Sequence, residues 1–187
     1  MCLFASADGI DMDELLSLLF AAAVQFSGLP AIDGRPPLQA MPYGEMLQEI
    51  CADLEGERPR LEAQHDGCIR SHLMQPAACD GLEYEAGKYA RCTHQKGLMA
   101  AYIIEQRKIV YRDELDLGND IDNSFIVHEF VHALQQYHYG DRIFDTCRGV
   151  MTMERQAYAA QQAYLKSRGQ LLRVGERLRF VGCGDLL

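Results

Sequence analysis

Leu15, Leu16, Leu19, Ala22, Ala23 and Phe26 recur at three-to-four spacing, the apolar stripe of a helix over residues 12–26. Gly28 and Pro30 mark its end. Turn-forming residues then crowd positions 30–42, which predicts a loop. A second helix is expected over residues 43–54, with Gly56 and Pro59 as its stop. Across residues 60–96 no period holds. Gly, Cys and charge are scattered there, which predicts a long irregular excursion tied down by disulfides or a metal.

Strand-type residues return at 100–104 and 108–112, and Glu105-Gln106-Arg107 between them predicts a hairpin. Leu117-Gly118-Asn119-Asp120 breaks the chain again. Asp122, Asn123 or Ser124 is then expected to cap a helix carrying Ile126, Val127, Phe130, Val131 and Leu134, closed by Gly140. A last long helix is predicted from Val150 to Lys166, stopping at Gly169, and the tail 171–187 has the makings of a short strand.

Length and charge narrow what this α+β pattern can serve. The 187 residues suffice for one domain with one core. A formal charge of −9 excludes a nucleic-acid groove, which needs a basic stripe, and disfavours an anionic membrane surface. The apolar run LLSLLFAAAV at 15–24 is half the length of a bilayer-spanning helix, about 20 residues. Asp11, Asp13 and Glu14 stand before it where a signal peptide carries basic residues, so a buried amphipathic helix is expected. Of seven cysteines, Cys2, Cys51, Cys68, Cys79, Cys92, Cys147 and Cys183, no two form a CxxC pair, which argues against a ribbon-type zinc site. Paired, they would suit a periplasmic or secreted protein; as thiols, a cytoplasmic one.

The predicted helix over residues 124–139 changes the picture. His128-Glu129-Phe130-Val131-His132 is an HExxH pattern, and residues four apart share a helical face, so both imidazoles can reach one ion. Neutral imidazole suits Zn²⁺ at about 2.0–2.1 Å. Glu129 lies one step round the helix, where it can take a proton from an activated water. Two histidines and a glutamate within an otherwise apolar stretch are costly to bury unless something binds them.

Several side chains compete to be the third ligand. His138 lies ten positions after His128, the spacing of HExxHxxGxxH, but Gln135 stands where that pattern needs a hinge glycine. Asp141 and Asp145 are further carboxylates nearby. Glu154 opens MERQAYAAQQAYL, shares a face with Ala157, Tyr158 and Gln161, and follows Met151 and Met153, which suggest a buried approach. A carboxylate from a second helix would complete a His₂Glu site with one position left open, so Glu154 is preferred.

The stretch from Gly97 to Tyr111, HEFVHALQ and MERQAYAAQQAYL together resemble the gluzincin branch of the zincin metallopeptidases. More narrowly they resemble the compact bacterial minigluzincin-type proteins, in which an AxYxxxxxxIxY strand precedes the HExxH helix and an ExxAY helix follows. The resemblance covers residues 97–166. It implies a zinc-dependent peptidase with His128, His132 and Glu154 as metal ligands, Glu129 as general base, and a strand within 100–111 as the edge for an extended peptide substrate. It also implies a zincin-like core at 97–170, a small sheet with the HExxH and glutamate helices. Residues 1–96 would add a helical, Cys-rich lobe within a single domain of 1–187.

Two departures keep alternatives open. Thermolysin-like enzymes carry an acidic residue four after the glutamate ligand, where this chain has Tyr158. No motif marks an oxyanion donor; Tyr137, His138 and Tyr139 are the nearest in sequence. A zinc-holding module that is latent or non-catalytic, with Cys68, Cys79, Cys92 or Cys183 as a fourth ligand, is one alternative. A metzincin-like peptidase using His138 is the other. Substrate and oligomeric state are not encoded in these patterns.

Overall fold

The computed structural model describes residues 11–72, 79, 88–144 and 146–179. Among them the chain is α+β, and its elements group into two compact units, residues 11–37 with 116–179 and the described residues of 38–115.

The first unit is helical. Helix α1 (Met12–Ser27) buries Leu16, Leu19 and Ala23, the stripe expected from its spacing, and Gly28 caps it. Its partners are α5 (Asp120–Tyr139) and α6 (Cys147–Ser167), and the three helices pack pairwise on one another. Phe20 of α1 meets Phe130 of α5 edge-on, with ring centroids 5.1 Å apart. This packing groups α1 with the HExxH helix, whereas a division at residue 96 would place it in a separate lobe. The α5 cap is Asn119 rather than Asp122, Asn123 or Ser124, because its side-chain oxygen already accepts the Ile121 amide. Helix α6 starts three residues earlier than expected, since Thr146 accepts the Gly149 amide. Between α5 and α6 lies a short 3₁₀ turn, Asp141–Phe144.

Beyond α6 the described tail forms no strand. Residues 170–175 run along α6, where the Gln162 amide clasps them by donating to the Leu172 carbonyl at 2.7 Å and accepting from the Val174 amide at 3.1 Å, and a 3₁₀ turn, Glu176–Arg179, follows.

The second unit holds the sheet, in the order β1-β3-β2. Strands β2 (Ala100–Ile103) and β3 (Lys108–Arg112) form the expected antiparallel hairpin, with Arg107 at φ 49° in its turn. The loop expected at 30–42 contains a further strand, β1 (Leu38–Met41), which pairs in parallel with β3. The hairpin's second strand is therefore central, and its first is an edge among the described residues. Met41, Met46, Ile103 and Val110 form the unit's buried cluster, with Met46 supplied by α2 (Tyr43–Ile50).

Two expectations fail after α2. That helix ends at Ile50, before Gly56 and Pro59, and α3 (Ala52–Ser71) then runs straight through both. Pro59 removes one hydrogen-bond donor and crowds one carbonyl, but the flanking Glu, Arg, Leu and Ala are strong helix formers. Arg58–Glu62 and Arg60–Glu57 ion pairs line its surface. Covalent bonds tie this part down: Cys51 at the α2–α3 junction is bonded to Cys92 of α4 (Lys88–Thr93), and Cys68 of α3 to Cys79. Cys147 in the first unit is also disulfide-bonded.

Candidate metal centre

Helix α5 is buried on nearly every side from Asn123 to Gln136, so its polar side chains need partners inside the protein. His128 and His132 lie one turn apart on the face toward α6, both under a tenth exposed. Ala157 and Ala160 of α6 are fully buried, and their small side chains let the two helices approach closely. Buried Met151 and Met153 precede Glu154 and turn its carboxylate inward, as their apolar character suggested.

Three ligand atoms converge as a result. The two Nε2 atoms are 3.1 Å apart, and the Glu154 carboxylate places one oxygen 3.4 Å from His128 Nε2 and the other 3.3 Å from His132 Nε2. A small divalent cation held tetrahedrally at about 2.0–2.1 Å spaces its ligands about 3.3 Å apart, the edge length of that tetrahedron. The separations match it closely, so the residues present fit such an ion. Histidines four apart supply one edge of the tetrahedron, and the second helix supplies the third corner.

The remaining nitrogens are held from behind. His128 Nδ1 lies 3.2 Å from Gln161 Oε1, and His132 Nδ1 lies 2.8 Å from Gln135 Oε1. Both glutamines are essentially inaccessible to solvent. Tyr158 packs its ring on His128 at 4.4 Å between centroids, and Gly175 of the tail stands against the base of the Tyr158 side chain. A Cβ on Gly175 would fall 2.6 Å from Tyr158 Cγ, so only glycine permits this contact. Phe144 flanks His132 at 6.2 Å. Gly149 anchors that 3₁₀ turn: a Cβ there would lie 1.8 Å from the Ile143 carbonyl oxygen.

Electrostatics follow from the same contacts. Burial by itself would raise the Glu154 carboxyl, yet hydrogen bonds and charge from both imidazoles hold it far below the usual carboxylate range. Burial would likewise depress His132. The Glu154 hydrogen bond, the Glu129 and Glu154 charges and the Gln135 contact together raise it instead. The pocket between the imidazoles and the carboxylate thus favours a positive charge, whether a proton or a metal ion.

Other sequence candidates lie elsewhere. The α5 helix continues through the position of the missing hinge glycine, and His138 donates to the Pro30 carbonyl at 2.9 Å, outside the cluster. Asp141 accepts from Gln136 at 2.8 Å; Asp145 and Cys183 fall outside the described residues. Tyr137 and Tyr139 are more than half exposed. Cys68, Cys79 and Cys92 are held in disulfides and offer no free thiolate. Cys68, His72 and Cys79 form the other metal-like grouping among the described residues, with two of its three members bonded to each other.

Gln135 and Gln161 were missed as supporting residues. The available signal was their spacing: Gln135 is three after His132 and Gln161 seven after Glu154, each on the ligand-bearing face of its helix. No family model, curated protein or solved structure matches this chain. Among the described residues no helix is long and apolar enough to cross a membrane.

Proposed function

We propose that the protein is a zinc-dependent metallopeptidase of the gluzincin type, with His128, His132 and Glu154 as the metal ligands and Glu129 as the general base. The single observation that carries this reading is the convergence of two imidazole Nε2 atoms and one carboxylate at tetrahedral-edge spacing. Two imidazoles and one carboxylate are the donor set of catalytic rather than structural zinc, which takes four protein ligands. When bound, the metal supplies Lewis acidity, polarising a peptide carbonyl and making a water easier to deprotonate.

The chain's own contribution is proton handling. Glu129 sits beside the ligands on the same helix, buried, and near enough to His132 for its charge to act on that imidazole. Its carboxylate is suited to take a proton from the attacking water and return it to the leaving amine. Tyr158, packed on His128, is a better candidate for steadying the reacting carbonyl than exposed Tyr137 or Tyr139.

Zinc-loaded protein incubated with a broad peptide library tests the reading. Cleavage is expected, and Glu129→Gln should retain zinc while losing roughly 10²–10⁴-fold in kcat, the usual worth of a positioned base. Equal turnover by the two proteins, or none by either with zinc bound, would defeat it.

A further inference from the structure

We infer that Gln135 and Gln161 are positioning residues that lock His132 and His128 in the Nδ1–H tautomer before any metal arrives. The neutral histidine side chain in water prefers its proton on Nε2, the atom that must be bare to ligate a metal from this helix face. The protein therefore has to reverse that preference at both positions.

The direction of each hydrogen-bond relay is forced by its last member. Ser124 donates its hydroxyl proton to the Ile121 carbonyl at 2.6 Å, which leaves the hydroxyl oxygen to accept from Gln161 Nε2 at 2.9 Å. With its amide nitrogen so committed, Gln161 presents its carbonyl oxygen to His128, and His128 Nδ1 has to be the donor. Gln135 Nε2 donates to the Met153 carbonyl at 2.9 Å and to Gln156 Oε1 at 3.1 Å. Gln156 in turn donates to the Ser27 carbonyl of α1 at 3.2 Å. Gln135 Oε1 is left facing His132 Nδ1, which likewise donates. Every relay ends on a backbone carbonyl, a group that only accepts, so neither amide can turn over without leaving buried partners unpaired.

A consequence sits at the other end of each ring. Where both rings are neutral, the two Nδ1–H imidazoles point bare Nε2 lone pairs at each other across 3.1 Å, beside the Glu154 carboxylate. A proton or a metal ion placed between them relieves that arrangement. The amides achieve it without placing a second negative charge behind either ring, unlike a carboxylate partner.

The tautomer claim is independent of peptidase activity; only its affinity arm rests on the metal-site reading. Metal-free protein with ¹⁵N-labelled histidine, studied by long-range ¹⁵N–¹H correlation where the imidazoles are neutral, shows which nitrogen carries the proton. Both rings are expected as Nδ1–H. Gln161→Met should return His128 to the Nε2–H form while His132 is unchanged, and Gln135→Met should do the converse. Gln→Glu at either position should keep Nδ1–H, since a carboxylate also accepts. Zinc affinity should fall roughly 10–100-fold in each Met variant, the usual effect of losing an outer partner of a ligating histidine. A wild-type imidazole found as Nε2–H overturns the inference, as does a folded Met variant that keeps Nδ1–H. If the Met variants do not fold, the wild-type spectrum decides. An inactive protein with both rings Nδ1–H would sink the peptidase reading and leave this one standing.

Discussion

The two compact units differ in how much of their stability comes from apolar packing. In the helical unit, α5 lies among α1 and α6 with Ile126, Val127, Phe130, Val131 and Leu134 all buried, and apolar contact does the stabilising. In the sheet unit the buried cluster is small, and among the described residues of α3 only Leu61 is buried. There, disulfides substitute for a core that the sequence is too polar to build. A buried polar site can therefore be placed in the helical unit and not in the sheet unit. Two histidines, two glutamates and two glutamines can be kept under cover only where surrounding apolar burial offsets the cost of drying them.

The largest expected loss lies in the helical core. Phe130→Ala removes a fully buried ring from the helical unit and should destabilise it by about 3–5 kcal/mol, read by chemical denaturation. Hydrogen exchange should quicken in α1, α5 and α6 ahead of the sheet; the reverse order would refute the division of labour. Next, replacing both Cys51 and Cys92 by Ser opens a 41-residue loop and should cost up to about 4 kcal/mol by loop-closure entropy. Exchange should then rise in the strands while zinc binding stays intact, and lost zinc binding would mean the site depends on that staple.

The smallest effect is one of sign with pH. In metal-free protein His132 has a raised pKa, so its contribution is fully present below its ordinary 6.5 and fades as pH climbs through the raised value. Glu154 has a lowered pKa, so its contribution is present above 4.5 and disappears only in stronger acid. Stability from this pair should therefore be greatest between those two pH values. Zinc displaces the proton, so the loaded protein should gain stability as pH rises through the His132 range. Denaturation curves with and without zinc that run parallel across that interval would contradict the site assignment.

What was readable in the sequence was what local geometry dictates. HExxH puts two imidazoles on one face whatever the fold does, and the methionines before Glu154 betray an inward-facing helix start. That His128, His132 and Glu154 could form one cluster was legible on those grounds. Gln135 and Gln161 looked like ordinary helix glutamines, because their role arises only when α5 and α6 pack together. Strand β1 was hidden because four residues before Pro42 carry no measurable period and its partner, β3, lies about 70 residues away. Helix α3 escaped because a helix facing water almost throughout has no apolar stripe to detect, and Pro59 suggested a break.

A metal site at this place requires one cation gripped by side chains of two adjacent helices. An anomalous-scattering map at the zinc edge, from crystals grown with stoichiometric zinc, tests it directly. A single strong peak is predicted within bonding distance of His128 Nε2, His132 Nε2 and the Glu154 carboxylate. A map with no density there, or with its peak beside Cys68, His72 and Cys79, would contradict the account.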